Sequence, residues 1–85
     1  MASYRLLIKR SAAKELEGLP PKVRRRVAGK IKTLATTPRP QGVEKLSGQE
    51  KYRIRQGDYR VLHSIDDGTQ TVTVVKIGHR RDVYR

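Results

Sequence analysis

The sequence predicts an α+β domain: an N-terminal strand, a two-helix hairpin, and a three-stranded antiparallel meander. Together the strands form one four-stranded sheet with the helices on one face. Three observations carry this expectation. Val23, Val27, Ile31 and Leu34 recur at helical spacing. Residues 51–56 and 59–66 alternate apolar with polar. Residues 69–77 are rich in Thr and Val, as a central strand requires.

Residues 4–9 read as the first strand, ended by Lys9-Arg10-Ser11. Ser11 is the expected N-cap of the first helix, with Glu15 near its amino end. Ala12, Leu16 and Leu19 then fall on one side of it. Gly18-Leu19-Pro20-Pro21 ends this helix and begins the next, since proline early in a helix forfeits an N–H that would have no partner there. The Val23-to-Leu34 stripe defines the buried side of the second helix. Arg24, Arg25 and Lys32 lie away from the stripe, while Arg26 and Lys30 flank it and lay their alkyl stems over apolar surface. Thr36-Thr37-Pro38-Arg39-Pro40 stops the helix.

In the second half, Tyr52 and Ile54 share one strand face, and Lys51, Arg53 and Arg55 share the other. Gln56-Gly57-Asp58 is a turn leading into Tyr59, Val61, His63 and Ile65 on one face, with Arg60, Leu62 and Ser64 opposite. Asp67-Gly68 is expected to close the next hairpin as a type I′ turn with positive φ. Residues 78–85 are too polar for core and are expected to lie against or beside the sheet.

Length and charge narrow the function. Eighty-five residues make one domain, here expected to span 1–85. Twenty Lys and Arg against eight Asp and Glu give a net charge of +12, which points to a polyanionic partner. Without Cys there is no disulfide framework and no thiolate metal site. The longest apolar run, Leu6-Leu7-Ile8, is far too short for a membrane span, so a cytoplasmic protein without membrane contact is expected.

Several residue groups suit work on a phosphodiester. Lys51, Arg53 and Arg55 sit roughly 6.5–7 Å apart along one strand face, close to the phosphate spacing of a nucleic-acid strand. Arg60 lies across a short turn from Arg55, so two guanidinium groups could converge on one phosphate, for which their geometry is suited. Gly78-His79-Arg80-Arg81-Asp82-Val83-Tyr84 supplies proton-transfer groups in His79 and Tyr84, and charge-stabilising ones in Arg80 and Arg81. His63, between Val61 and Ile65, reads instead as a core histidine. No Asp/Glu/His cluster has metal-ligand spacing, and no Gly-rich phosphate loop or Ser or Cys nucleophile motif occurs. With four Tyr and no Phe or Trp, the chain lacks the stacking platform of autonomous single-strand binders. RNA chemistry here would be electrostatic and would depend on another body to present the substrate. Arg24-Arg25-Arg26 on the second helix offer a plain DNA- or RNA-binding module as an alternative, ranked last because the tight 18–21 connection suits an αα-hairpin rather than a helix-turn-helix.

The order β-α-α-β-β-β resembles the RelE toxins of the RelE/ParE toxin–antitoxin superfamily, a RelE-like, microbial ribonuclease-type fold. So do the segment Tyr52-Arg53-Ile54-Arg55-Gln56-Gly57-Asp58-Tyr59-Arg60-Val61-Leu62, the turn Ile65-Asp66-Asp67-Gly68, and the ending Ile77-Gly78-His79-Arg80-Arg81-Asp82-Val83-Tyr84-Arg85. The resemblance implies a type II toxin that cuts mRNA in the ribosomal A site without cofactor or metal, by attack of the 2′-hydroxyl on the adjacent phosphate. It implies that Arg53 and Arg55 hold mRNA and assist the chemistry; Lys51 on the same strand face and Arg81 in the tail are expected to bind the substrate with them. It also implies that Arg60 and Arg80 stabilise the transition state, that Tyr84 orients the base, and that His79 occupies a position where several relatives carry a catalytic histidine. The implied partners are mRNA, the ribosome (the 30S A site and its rRNA) and a cognate antitoxin, expected to offer an acidic amphipathic segment. The best-known members carry lysine where this chain has Arg53 and Arg55. Arginine does not lose its proton, so if those positions supply the base in relatives, this chain would use His79 or Tyr84 instead, or cut slowly. The alternative within the superfamily is a non-enzymatic ParE-like toxin that inhibits DNA gyrase.

Overall fold

Alternation of side chains along the C-terminal half organises the whole molecule. The structure is a computed structural model that describes residues 3–46 and 51–79. Among these, five strands and two helices follow in the order β1 (Arg5–Ile8), α1 (Arg10–Glu17), α2 (Pro21–Thr33), β2 (Glu44–Lys45), β3 (Lys51–Gln56), β4 (Tyr59–Asp66) and β5 (Thr71–His79). They form one mixed sheet in the order β1-β5-β4-β3-β2. The β3–β4–β5 meander is antiparallel, while β1 runs parallel to β5, pairing Leu6 with Val72 and Ile8 with Val74.

One sheet face is covered by the helices. Ala12 of α1, Val27 and Ile31 of α2, and Leu34 just beyond it are 0–2 % exposed. They pack with Tyr52, Ile54, Val61, Ile65, Val72, Val74 and Ile77 in one core. Each fully buried aliphatic side chain stabilises the fold by about 1.5–3 kcal/mol, so the helix stripe and the strand alternation must agree on a single face. Leu16, Leu19 and Val23 lie at the margin of that core, as their spacing predicts.

Among the described residues the sheet has five strands, rather than the expected four. The fifth, β2, pairs Glu44 with Arg53 and Lys45 with Tyr52 on the outer side of β3. Two polar residues carry no periodicity, so the sequence gives no sign of it. The cap of α1 also differs. Lys9, in extended conformation, precedes the helix without a side-chain cap, and Ser11 lies inside the first turn, where no acidic residue is present. Glu15 reaches out of the helix instead, and its carboxylate accepts the Ile77 N–H at 3.0 Å.

The β4–β5 connection departs from the expected type I′ turn. Positive φ falls at Gly57 (62°) in the β3–β4 turn and at Gln70 (52°) before β5, not at Asp67 or Gly68. The second connection is therefore longer than a type I′ turn. Asp66 accepts the Thr69 N–H at 3.1 Å, and β5 starts at Thr71 rather than at residue 69. At its other end β5 continues beyond the expected end at Ile77, through Gly78 and His79, which pair with Arg60 and Tyr59.

Candidate nucleic-acid interface

The opposite sheet face carries a group of cations. Lys51, Arg53 and Arg55 share it by alternation on β3, and the register adds Arg60 directly opposite Arg55. Across β4 and β5, Leu62 faces Lys76 and Arg60 faces Gly78. Two rows result, Arg53–Leu62–Lys76 and Arg55–Arg60–Gly78, and glycine leaves the second row without a side chain at its far end. Lys76 is a cation that the sequence reading missed. A register irregularity beside Leu62/His63 leaves Val75 without a partner on β4 and shifts the alternation of β5 by one residue. No pattern in Thr71-Val72-Thr73-Val74-Val75-Lys76-Ile77 marks where that shift falls.

Glu44 is the second residue missed. Its carboxylate bridges Arg53 and Arg55, through Oε2 to the Arg53 guanidinium and through Oε1 at 3.8 Å to that of Arg55. The two arginines differ in access: the Arg53 side chain is 15 % exposed and that of Arg55 is 61 % exposed. Arg53 is thus pinned by the acid, while Arg55 is loosely held and open to a ligand.

His79 lies elsewhere. It pairs with Tyr59, and the two rings meet edge to face at 5.6 Å. Tyr59 packs against the core, so this pair shares the helix-covered side and the sheet separates it from Arg55 and Arg60. Arg80, Arg81 and Tyr84 lie outside the described residues. Among the described residues, no group of three or more His, Asp or Glu side chains could hold a metal ion.

His63 is a core residue, 0 % exposed. Its Nε2 lies 3.1 Å from the Pro38 carbonyl, to which it donates, and its ring stacks on Tyr52 at 5.7 Å. Burial drives its pKa below the ordinary 6.5, outweighing the Pro38 bond. Nearby, Arg39 grips Asp67 through two nitrogens at 2.9 and 3.2 Å, and Tyr4 donates to the same carboxylate at 2.7 Å. These hydrogen bonds, that of Arg39 first, hold the Asp67 pKa below its ordinary value. This cluster fixes the loop after α2 to the sheet and lies apart from the cationic rows.

Helices on one face of a mixed sheet, with Lys51, Arg53, Arg55, Arg60 and Lys76 on the other, define a small α+β domain suited to a polyanion. Comparison with known proteins then gives the family. A family model described as the ParE toxin of a type II toxin–antitoxin system, parDE, matches residues 6–84, and the chain belongs to this family as a RelE-type toxin. It is similar to Toxin RelE of Mycobacterium tuberculosis (strain ATCC 25618 / H37Rv), with 33 % identity over 84 residues, covering 96 % of this chain and 87 % of that one. A 34-residue stretch is 44 % identical to Toxin RelG of the same organism; it covers 40 % of this chain and 39 % of that relative. Among solved structures, the archaeal RelE–RelB complex from Pyrococcus horikoshii OT3 matches with a TM-score of 0.83 and 31 % identity, over 98 % of this chain and all of that one.

Proposed function

We propose that the protein is a ribosome-dependent mRNA endonuclease that arrests translation. The observation that carries the proposal is the meeting of Arg53, Arg55 and Arg60 on one helix-free sheet face, with Arg55 and Arg60 in register. Cleavage of RNA by its own 2′-hydroxyl requires loss of that proton, attack of the oxygen on phosphorus, and departure of the 5′-oxygen with a proton. The charge that builds on the phosphorane is met by guanidinium groups, which donate in a fixed fork and stay charged at every physiological pH. Arg60 and Arg55 take this part. Arg80 and Tyr84 are proposed to serve the same step, a role that the family resemblance implies. The 2′-hydroxyl proton would pass to His79 or Tyr84, and one would return to the departing 5′-oxygen; of the two, His79 stands across the sheet from Arg55 and Arg60.

The proposed substrate-presenting body is the ribosome, because the described residues offer few rings on which a free strand could stack. The proposed inhibitor is a cognate antitoxin: the Pyrococcus relative is solved with RelB, and a chain of charge +12 favours an acidic segment. Such an association would weaken as salt rises.

Primer extension on mRNA after induction, with and without translating ribosomes, tests the proposal. Cuts in register with the reading frame, present only during translation, are expected. Gyrase inhibition or DNA breakage without mRNA cuts would overturn it.

A further inference from the structure

A cleft of about 340 Å³ opens where α2, the segment leading into β2, and β3 meet. It is lined by Lys30, Gln41, Gly42, Glu44, Ile54 and Arg55. Its volume lies at the lower end of small-molecule sites, which run from roughly 300 Å³ upward. Gly42 has φ of 88°, a conformation that disfavours L side chains, and a Cβ there would meet nothing within 4 Å. This turn brings Gln41 and Glu44 to one cleft.

The lining mixes signs. Lys30 and Arg55 are cations, Glu44 is a carboxylate, and Gln41 offers both an amide donor and an acceptor. A bare phosphate would meet Glu44 as well as the cations. A ligand with an anion at one end and N–H donors at the other satisfies both. Arg53 holds the Glu44 carboxylate in place, while Arg55 is exposed and only 3.8 Å from it.

We infer that this cleft is a subsite for one nucleotide of the substrate strand, with its phosphate on Arg55 and Lys30 and its base against Glu44 and Gln41. The inference rests on the endonuclease reading for the identity of that strand. Guanine suits the site, because its N1–H and N2–H are adjacent donors matched to a carboxylate. Adenine presents a lone pair where guanine presents N1–H, and a fixed carboxylate repels it. A well-made two-bond contact of this kind discriminates between bases by about tenfold or more. Glu44 therefore acts as a specificity residue and Arg53 as the residue that positions it.

The test is NMR titration of the full chain with guanosine 3′-monophosphate and adenosine 3′-monophosphate. Binding about tenfold tighter for the guanosine compound is expected, with shifts centred on the Gln41 and Gly42 amides. Glu44→Gln should bring the two affinities close to equal. Gln41→Ala, at an exposed position where folding is not at stake, should weaken the guanosine compound. Equal affinities in the wild type, an unchanged preference in Glu44→Gln, or shifts remote from residues 41–44 would each overturn the inference. Ribosome-dependent mRNA cuts alongside any of those results would leave the endonuclease reading standing. A guanosine preference without mRNA cuts would leave the subsite and remove that reading.

Discussion

Arg55 and Arg60 are direct cross-strand partners on β3 and β4, so two like charges occupy one register position. Like charges placed opposite each other in a sheet destabilise it. The Glu44 contact to Arg55 is long, at 3.8 Å, and well exposed, so losing it costs little. Arg55→Thr should therefore leave the thermal midpoint unchanged or slightly raised while weakening binding to single-stranded RNA. The log–log slope of affinity against salt should fall by about one. Titration of an RNA oligonucleotide at several salt concentrations, with a melting curve of each protein, checks both halves. A variant that is less stable but binds equally well would remove Arg55 from the interface.

What was readable in the sequence follows from periodicity. Tyr52, Ile54, Val61 and Ile65 alternate over enough residues to fix a face, and Val27, Ile31 and Leu34 do the same for α2. Arg53, Arg55 and Arg60 came with them, because the face opposite a buried one is set by the same pattern. Glu44 was hidden because a two-residue strand has no period, and its meaning depends on Arg53, a neighbour nine residues on. Lys76 was hidden because a bulge shifts alternation without a signature of its own. The polarity of residues 78–85 marks His79 as tail, whereas its pairing with Tyr59 makes it the end of β5. Local turn chemistry was legible only as the presence of a turn: Asp67-Gly68 marks the β4–β5 connection, but Gln70 adopts the left-handed conformation.

His63 makes the fold sensitive to acid. It is buried neutral, with a folded pKa below the ordinary 6.5. As pH falls below about 6.5 the unfolded chain takes up a proton that the folded chain declines, so stability drops. Asp67 adds a second loss further down. Its folded pKa lies below 3.8, and the stability it contributes is present above that value and disappears as pH falls through the folded pKa. Urea midpoints measured from pH 7.5 downward should show a plateau above about pH 6.5 and a decline below it. His63→Gln, which keeps a donor for the Pro38 carbonyl, should flatten the upper part of the decline. A midpoint independent of pH down to 4 would contradict this account of the core.

Arg39 ties the loop after α2 to the sheet, and its two attachments are unequal. The ion pair with Asp67 is exposed, with side-chain exposures of 39 % and 59 %, and such pairs contribute little. The contact with Tyr52 is better protected: the guanidinium lies 5.1 Å from the ring centroid and Nε donates to the hydroxyl at 3.1 Å. Arg39→Ala is expected to cost roughly 1 kcal/mol, mostly through this ring contact and the lost packing of the stem. Asp67→Asn should cost less, and Arg39→Lys should recover only part of the loss because lysine has no planar fork. Equilibrium unfolding of the three variants gives the order, and a larger effect from Asp67→Asn than from Arg39→Ala would reverse the assignment.

Glu15 takes the place of a missing strand. β1 stops at Ile8, opposite Val74, so the last part of β5 runs past its neighbour along α1. The Ile77 N–H on that side is met by the Glu15 carboxylate at 3.0 Å. An N–H left without an acceptor here costs about 1–3 kcal/mol. The consequence reaches the interface, since Lys76 and Gly78 flank Ile77 on the cationic face beside Leu62 and Arg60. Glu15→Ala should lower stability by that amount and speed amide exchange at Ile77. Glu15→Gln keeps a carbonyl acceptor and should retain most of the protection. If Ile77 exchanges at the wild-type rate in Glu15→Ala, β5 is held by its pairing with β4 alone and Glu15 has no part in placing the cationic rows.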